Sequence, residues 1–274
     1  MLPKTVVSDK FRLIFTMGLE GTGHHYAFAV EDSVFRDNPG LPRIDGGALD
    51  TGTYFVPNIL TQNPDKFITV EQGSRQVMKQ LAERTADLPW PGTIQFLRGG
   101  ISYPHASGPA KVLQYIDMRL MAETAELEGI DFRVLYLRRS AKGLLTANTV
   151  HRQFQNLLGL GKNATPEQRF MAYVRVIFTE MAVVHSLLSE VDPAFVICHN
   201  WEKLGDAEQA KTVSAFLAPN EEFGIYLAEA IVATVTFGIH GGTDLPPFDG
   251  VDVIVERLQK KLDAFEDVYC RSEQ

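Results

Sequence analysis

The sequence predicts an α/β protein built on a parallel sheet flanked by helices on both faces, a three-layer arrangement. Short apolar runs at residues 11–17, 93–97, 133–137 and 194–198 alternate with longer segments of helical period. Strands that alternate with helices in one chain pair in parallel and are covered on both sides. A glycine-rich turn follows the first run directly, which is a strand-loop-helix arrangement. At 274 residues the chain matches one large domain, since domains run to roughly 100–200 residues, and a single domain over 1–274 is expected.

The elements follow in order. Residues 11–17 (FRLIFTM) form the first strand, and apolar spacing resumes at 26–30 as a helix. Gly, Pro, Asn and Asp are dense from 39 to 64, the composition of an irregular surface segment placed to shape an acceptor site. The second strand, 93–97, ends in Gly99-Gly100 and a polar loop at 102–109. A helix is expected next, with Val112, Leu113, Ile116, Leu120 and Leu127 along one face and Gly129 as its stop. The run RVLYL at 133–137 is the third strand and leads into a helix through Arg138 and Arg139. Thr165-Pro166-Glu167-Gln168 is a capping box that opens the longest helix. Asp192-Pro193 breaks that helix near residue 191, and 194–198 is the fourth strand. Helices at about 207–217, 221–236 and from 251 complete the chain.

Composition narrows the function classes. Hydrophobic residues make up 45% and charged residues 22%, as in ordinary soluble proteins. With 34 acidic against 26 basic residues the formal charge is −8, which argues against a nucleic-acid partner, because such binding needs a basic face. A local basic pocket stays compatible with that balance. Two cysteines, Cys198 and Cys270, make neither a disulfide framework nor a metal cluster, and Cys198 reads as a buried thiol. Residues 1–10 lack a long apolar stretch, and the best apolar run, 227–239, is too short to span a bilayer. No membrane segment is therefore expected. A cytoplasmic setting is expected, with a secretory-organelle lumen as the alternative.

Gly18-Leu19-Glu20-Gly21-Thr22-Gly23-His24-His25 joins the first strand to the first helix. Backbone N–H groups in such a loop, with the helix N-terminus behind them, converge on a phosphate or sulfate. The spacing of Gly18 and Gly23 is that of a nucleotide-binding P-loop, yet His24 and His25 occupy the positions of its lysine and hydroxyl residue. Ordinary ATP or GTP chemistry would lose its main charge handles there. A sulfuryl donor, whose terminal group carries less charge than a phosphate, depends less on a metal, and no metal site is expected. The alternative is a glycine-rich turn with no ligand.

The second motif is Arg138 at the end of the third strand, followed eight residues later by Thr146 on the next helix. A guanidinium and a hydroxyl so placed hold one dianionic phosphate between them. With these two motifs the chain resembles the sulfotransferase family over residues 12–218, and Trp201-Glu202-Lys203-Leu204 and Phe216-Leu217 are similar to further family elements of a scaffold kind. The resemblance implies a P-loop NTPase-like sulfotransferase fold and 3′-phosphoadenosine-5′-phosphosulfate (PAPS) as donor. Gly18, Gly21, Thr22, Gly23, His24 and His25 would hold the 5′-phosphosulfate, and Arg138 and Thr146 the 3′-phosphate. A small-molecule or carbohydrate hydroxyl would be the acceptor. The chain departs from the family at Leu19-Glu20, where a lysine or arginine is usual, at Ser140, where a proline is usual, and in lacking a clear C-terminal basic loop.

Sulfuryl transfer needs a base for the acceptor proton. His105, in the polar loop after the second strand, is one candidate, and otherwise a loop histidine making a local bond. Glu20 is a second, as base or acceptor-orienting carboxylate, and otherwise an acidic group favouring the helix dipole. His24 is a third; it and His25 diverge by roughly 100° on a helix, so one faces the donor and the other packs. Arg152 reads as a phosphate ligand or a solvated arginine, and His185 as a core histidine. The competing functions are a P-loop kinase, which would need an added lysine and Mg²⁺, and a non-catalytic nucleotide- or anion-binding module.

Overall fold

A computed structural model describes residues 11–19, 21–22, 24–40, 70–86, 94–97, 106–107, 112–113, 118–151, 163–218, 220–234 and 245–270. In chain order the elements are β1 (Arg12–Gly18), α1 (His24–Asp37), α2 (Val70–Thr85), β2 (Ile94–Leu97), β3 (Ala106–Ser107), β4 (Val112–Leu113) and α3 (Met118–Leu127). Then come β5 (Asp131–Arg138), α4 (Ala141–His151), α5 (Pro166–Leu188), β6 (Val196–Asn200), α6 (Ala207–Leu217), α7 (Glu221–Ala233) and α8 (Val251–Tyr269).

Four strands pair in parallel in the order β2-β1-β5-β6. Side chains alternate across a strand, so each strand feeds two cores. Leu13, Phe15 and Met17 of β1, with Phe132, Val134 and Tyr136 of β5, pack with α2, α3, α4, α5 and α8. Ile14 of β1, with Leu135 and Leu137 of β5 and Ile197 of β6, packs with α1, α6 and α7. The three-layer α/β arrangement read from the sequence is thus present among the described residues.

A buried charge holds the N-terminal edge of the sheet. Arg12, 2% exposed, donates Nε to Asp131 at 2.9 Å and also donates to the carbonyls of Phe216 and Ala218 at the end of α6. Asp131 accepts in addition from Arg133 at 2.9 Å, whose guanidinium lies over the rings of Phe195 and Phe216 at 5.2 and 5.0 Å. Each charge is paired, which is what permits its burial.

Helix ends follow the sequence closely. Thr165 and Gln168 cap α5 reciprocally, and Gly129 stops α3 with φ +70°. Three expectations fail. The helix expected to take in Val112 and Leu113 begins at Met118; those two residues pair antiparallel with Ala106–Ser107. The buried positions of α3 are Met118, Met121, Thr124 and Ala125, whereas Leu127 is 65% exposed; the apolar pattern had been carried across an extended segment. Asp192 does not end α5, which stops at Leu188, but caps a short 3-10 turn at Pro193–Phe195. Among the described residues it is α5, not the 227–239 run, that is long and apolar enough to cross a membrane. Its apolar stripe, including Phe170, Ile177 and Val184, packs in the core.

The buried thiol expected at Cys198 is instead half of a disulfide with Cys270, 72 residues away. It ties β6 to the end of α8. Spacing alone could not pair two cysteines so far apart. Closing a loop of that length stabilises by about 2–4 kcal/mol. Cys270→Ser is expected to lower the denaturant midpoint by that amount under non-reducing conditions. Equal midpoints for variant and oxidised wild type would contradict the assignment.

Candidate functional site

The register of the sheet brings the two predicted anion motifs to one edge. Gly18 pairs with Leu137 and Arg138 with Asn200, so β1, β5 and β6 end together. The chain leaves β1 toward β2 on one side and reaches β5 on the other, which makes the β1–β5 boundary a topological switch point. In open parallel sheets ligands bind in the crevice beyond the strand ends at such a boundary.

Gly18 is required there by close approach. A Cβ at this position would lie 2.9 Å from the Leu137 carbonyl oxygen and against the Thr22 side chain. The loop then folds on itself: the Thr22 N–H and Oγ1 both donate to the Leu19 carbonyl, at 3.0 and 2.7 Å, and Gly21 takes φ +93°, a left-handed conformation that suits glycine. The Thr22 hydroxyl is therefore turned into the loop. Glu20, Gly23 and His105 lie outside the described residues. His24 opens α1 with His25 after it, and their side chains lie outside the description too, as does Arg152.

The cation that reaches the loop is Arg139. It donates from a terminal nitrogen to the Gly21 carbonyl at 2.7 Å, and its guanidinium lies 5.0 Å above the Trp201 ring. Gly143 makes room for it, since a Cβ there would stand 2.7 Å from the Arg139 Nε. Burial lowers the Arg139 pKa, and Glu202 opposes that shift. Glu202 in turn accepts from the Ser140 N–H at 2.7 Å, so Trp201 and Glu202, read as scaffold, brace the second motif.

Arg138 points elsewhere, donating Nε to Glu266 of α8 at 2.7 Å. Thr146 is buried and its hydroxyl makes no hydrogen bond among the described residues. A buried hydroxyl left unpaired is a place to look for a ligand. No sequence signal marked Glu266, more than 120 residues from Arg138, and Arg139 was passed over in favour of its neighbour. Among the described residues no group of three or more His, Cys, Asp and Glu is placed to hold a metal ion.

Comparison with family models found no match, and neither curated proteins nor solved structures gave one. The site is therefore read from its own chemistry.

Beside the crevice, at the end of β6, His199 is 2% exposed and stacks on Tyr26 of α1 with ring centroids 5.6 Å apart. Tyr26 donates its hydroxyl to the Ile231 carbonyl at 2.9 Å and lies 3.4 Å from the His199 Nε2. Burial holds the His199 pKa down at about 4, so the ring is neutral at physiological pH. His185, expected in the core, lies at the surface, with its Nδ1 2.7 Å from the Tyr269 hydroxyl.

Two predictions follow from this geometry. Gly18→Ala is expected to cost about 1–3 kcal/mol through overpacking, read as a lower thermal midpoint; a neutral effect would remove the close approach from the account. His199 binds its proton less tightly when folded than when unfolded, so between pH 6.5 and 4 the unfolded chain carries more protons. Stability is therefore lost as pH falls through that window, by up to about 1.4 kcal/mol per pH unit. Denaturant unfolding of His199→Asn is expected to lack that component of the acid loss. Identical pH dependence in the two proteins would contradict a neutral buried ring.

Proposed function

We propose that the chain is a sulfotransferase that moves a sulfuryl group from PAPS to the hydroxyl of a carbohydrate or small metabolite, on a P-loop NTPase-like fold. The observation that carries this reading is the meeting of two anion motifs, 118 residues apart, at the switch point of the sheet, where Arg139 bonds the Gly21 carbonyl. The glycine loop suits the 5′-phosphosulfate, whose close approach needs the room that Gly18 and Gly21 leave. Arg139 and the unpaired Thr146 hydroxyl suit the 3′-phosphate, with Arg139 taking the role expected of Arg138.

In this reading the acceptor oxygen attacks sulfur as the bond from sulfur to the phosphate oxygen breaks. The acceptor proton passes to a base, for which His105, Glu20 and His24 are the candidates, and the leaving bisphosphate keeps its charge against Arg139 and the loop N–H groups. The Cys198–Cys270 disulfide favours an oxidising compartment over the cytoplasm.

Calorimetric titration with adenosine 3′,5′-bisphosphate, without metal, tests the reading. Binding is expected in the wild type, and Arg139→Ala is expected to weaken it by at least tenfold, as for loss of a charge-assisted hydrogen bond of about 1.5–3 kcal/mol. Binding of ATP with Mg²⁺ in place of the bisphosphate would move the case to a kinase. Binding of the bisphosphate without turnover of PAPS over a broad acceptor panel would move it to a nucleotide-binding module.

A further inference from the structure

The second anion motif already holds an anion, and it comes from the protein. Glu266, 4% exposed, reaches from α8 to the Arg138 Nε at the end of β5. One turn earlier on α8, the Gln259 side-chain oxygen accepts from the Ala141 N–H at 2.8 Å, at the start of α4. The terminal helix thus places acceptor atoms on two donors of the segment that links β5 to α4. The same helix is held down by the disulfide at Cys270 and by the Tyr269–His185 hydrogen bond.

The surroundings of Glu266 are unfavourable to a second negative charge. From β5 it meets Arg138 and the fully buried phenol of Tyr136, whose own pKa is raised by burial first and then by Glu266. From α5 the Glu180 carboxylate bears on the same phenol. Asp263 of α8 and Glu202, in the turn after β6, act on Glu266 with the same sign as burial. Arg138 is the group that favours its ionised form.

Resting on the anion-site reading above, we propose that Glu266 is an internal stand-in for the ligand's phosphate, displaced from Arg138 when an anion binds and protonated from solvent as it is displaced. A dianion and a carboxylate sharing one guanidinium in a site closed to water repel each other, and taking up a proton removes that repulsion. Burial already raises the Glu266 carboxyl to about 7, with Arg138 opposing the shift, so the proton is within reach at ordinary pH. Anion affinity then falls as pH rises above that value, by up to about tenfold per unit for one coupled proton.

The test is titration with adenosine 3′,5′-bisphosphate at pH 8, where its phosphates are already fully ionised, in buffers of high and low protonation enthalpy. The wild type is expected to take up close to one proton on binding. Glu266→Gln, which keeps the shape and loses the charge, is expected to take up none and to bind about tenfold more tightly at that pH. Wild-type binding with no proton uptake would overturn the inference and leave the anion site standing. Uptake that persists in Glu266→Gln would assign the proton to another group and also overturn it. No binding to the wild type would overturn both this inference and the site. The wild-type measurement decides the matter alone if the variant does not fold.

Discussion

The alignment of β1 on β5 is the constraint on which the rest of this molecule depends. It runs from Arg12 beside Asp131 to Gly18 beside Leu137, and each end is specified by different physics. At the first end, a buried guanidinium has its carboxylate partner where the register puts it. At the other, the backbones come so close that a side chain on residue 18 has no room. A slip of one residue would turn Leu13, Phe15 and Met17 toward the helices that now cover Ile14, exchanging the two cores. It would also unpair Arg12 in an apolar setting and carry the glycine loop away from Arg139. Fold and site are specified by the same seven-residue strand.

The terminal helix α8 has a comparable role on one face. It buries Leu258 and Leu262 in the larger core, yet its polar residues do something that packing alone does not require. Gln259 satisfies an N–H at the start of α4, Glu266 neutralises Arg138, and Tyr269 binds His185. A covalent bond from Cys270 to the central strand β6 then restricts how far the end of α8 can move. The charge balance that results is uneven. Arg138 carries an intramolecular carboxylate at hydrogen-bond distance, whereas Arg139, half-buried, has an aromatic face, a carbonyl and only the longer-range attraction of Glu202.

Much of this fold was legible in the sequence because its signals are local. The run FRLIFTM, the capping box at Thr165, the glycine stop at Gly129 and the helix at Ala207–Leu217 each depend on residues within a few positions of one another. The failures were of two physical kinds. Val112 and Leu113 were assigned by periodicity to a helix, but short apolar pairs fit either period, and a two-residue antiparallel pairing decided the matter. The disulfide, the Glu266–Arg138 pair and the choice of Arg139 over Arg138 all depend on which residues the topology brings together across long stretches of chain. Adjacent arginines at a strand end differ only in which way each points. That direction is set by Gly143 and Trp201, whose bearing on the question is invisible without the fold.

The start of α4 shows how the second motif must work if it binds an anion. A helix N-terminus ordinarily offers free N–H groups to a phosphate, and the sequence placed one directly after Arg138. Here those donors are largely taken: the Ser140 N–H by Glu202, the Ala141 N–H by Gln259 and the Gly143 N–H by the Ser140 hydroxyl. The helix terminus is thereby stabilised without a ligand, which lets α4 fold before any anion arrives. It also means that recognition at this motif falls to side chains, namely the Arg139 fork, the Thr146 hydroxyl and whatever share of Arg138 an anion can win from Glu266. Side chains discriminate by shape and number of oxygens more sharply than a helix dipole does. In a chain of net charge −8, where long-range attraction for anions is weak, such short-range recognition is the route left to it.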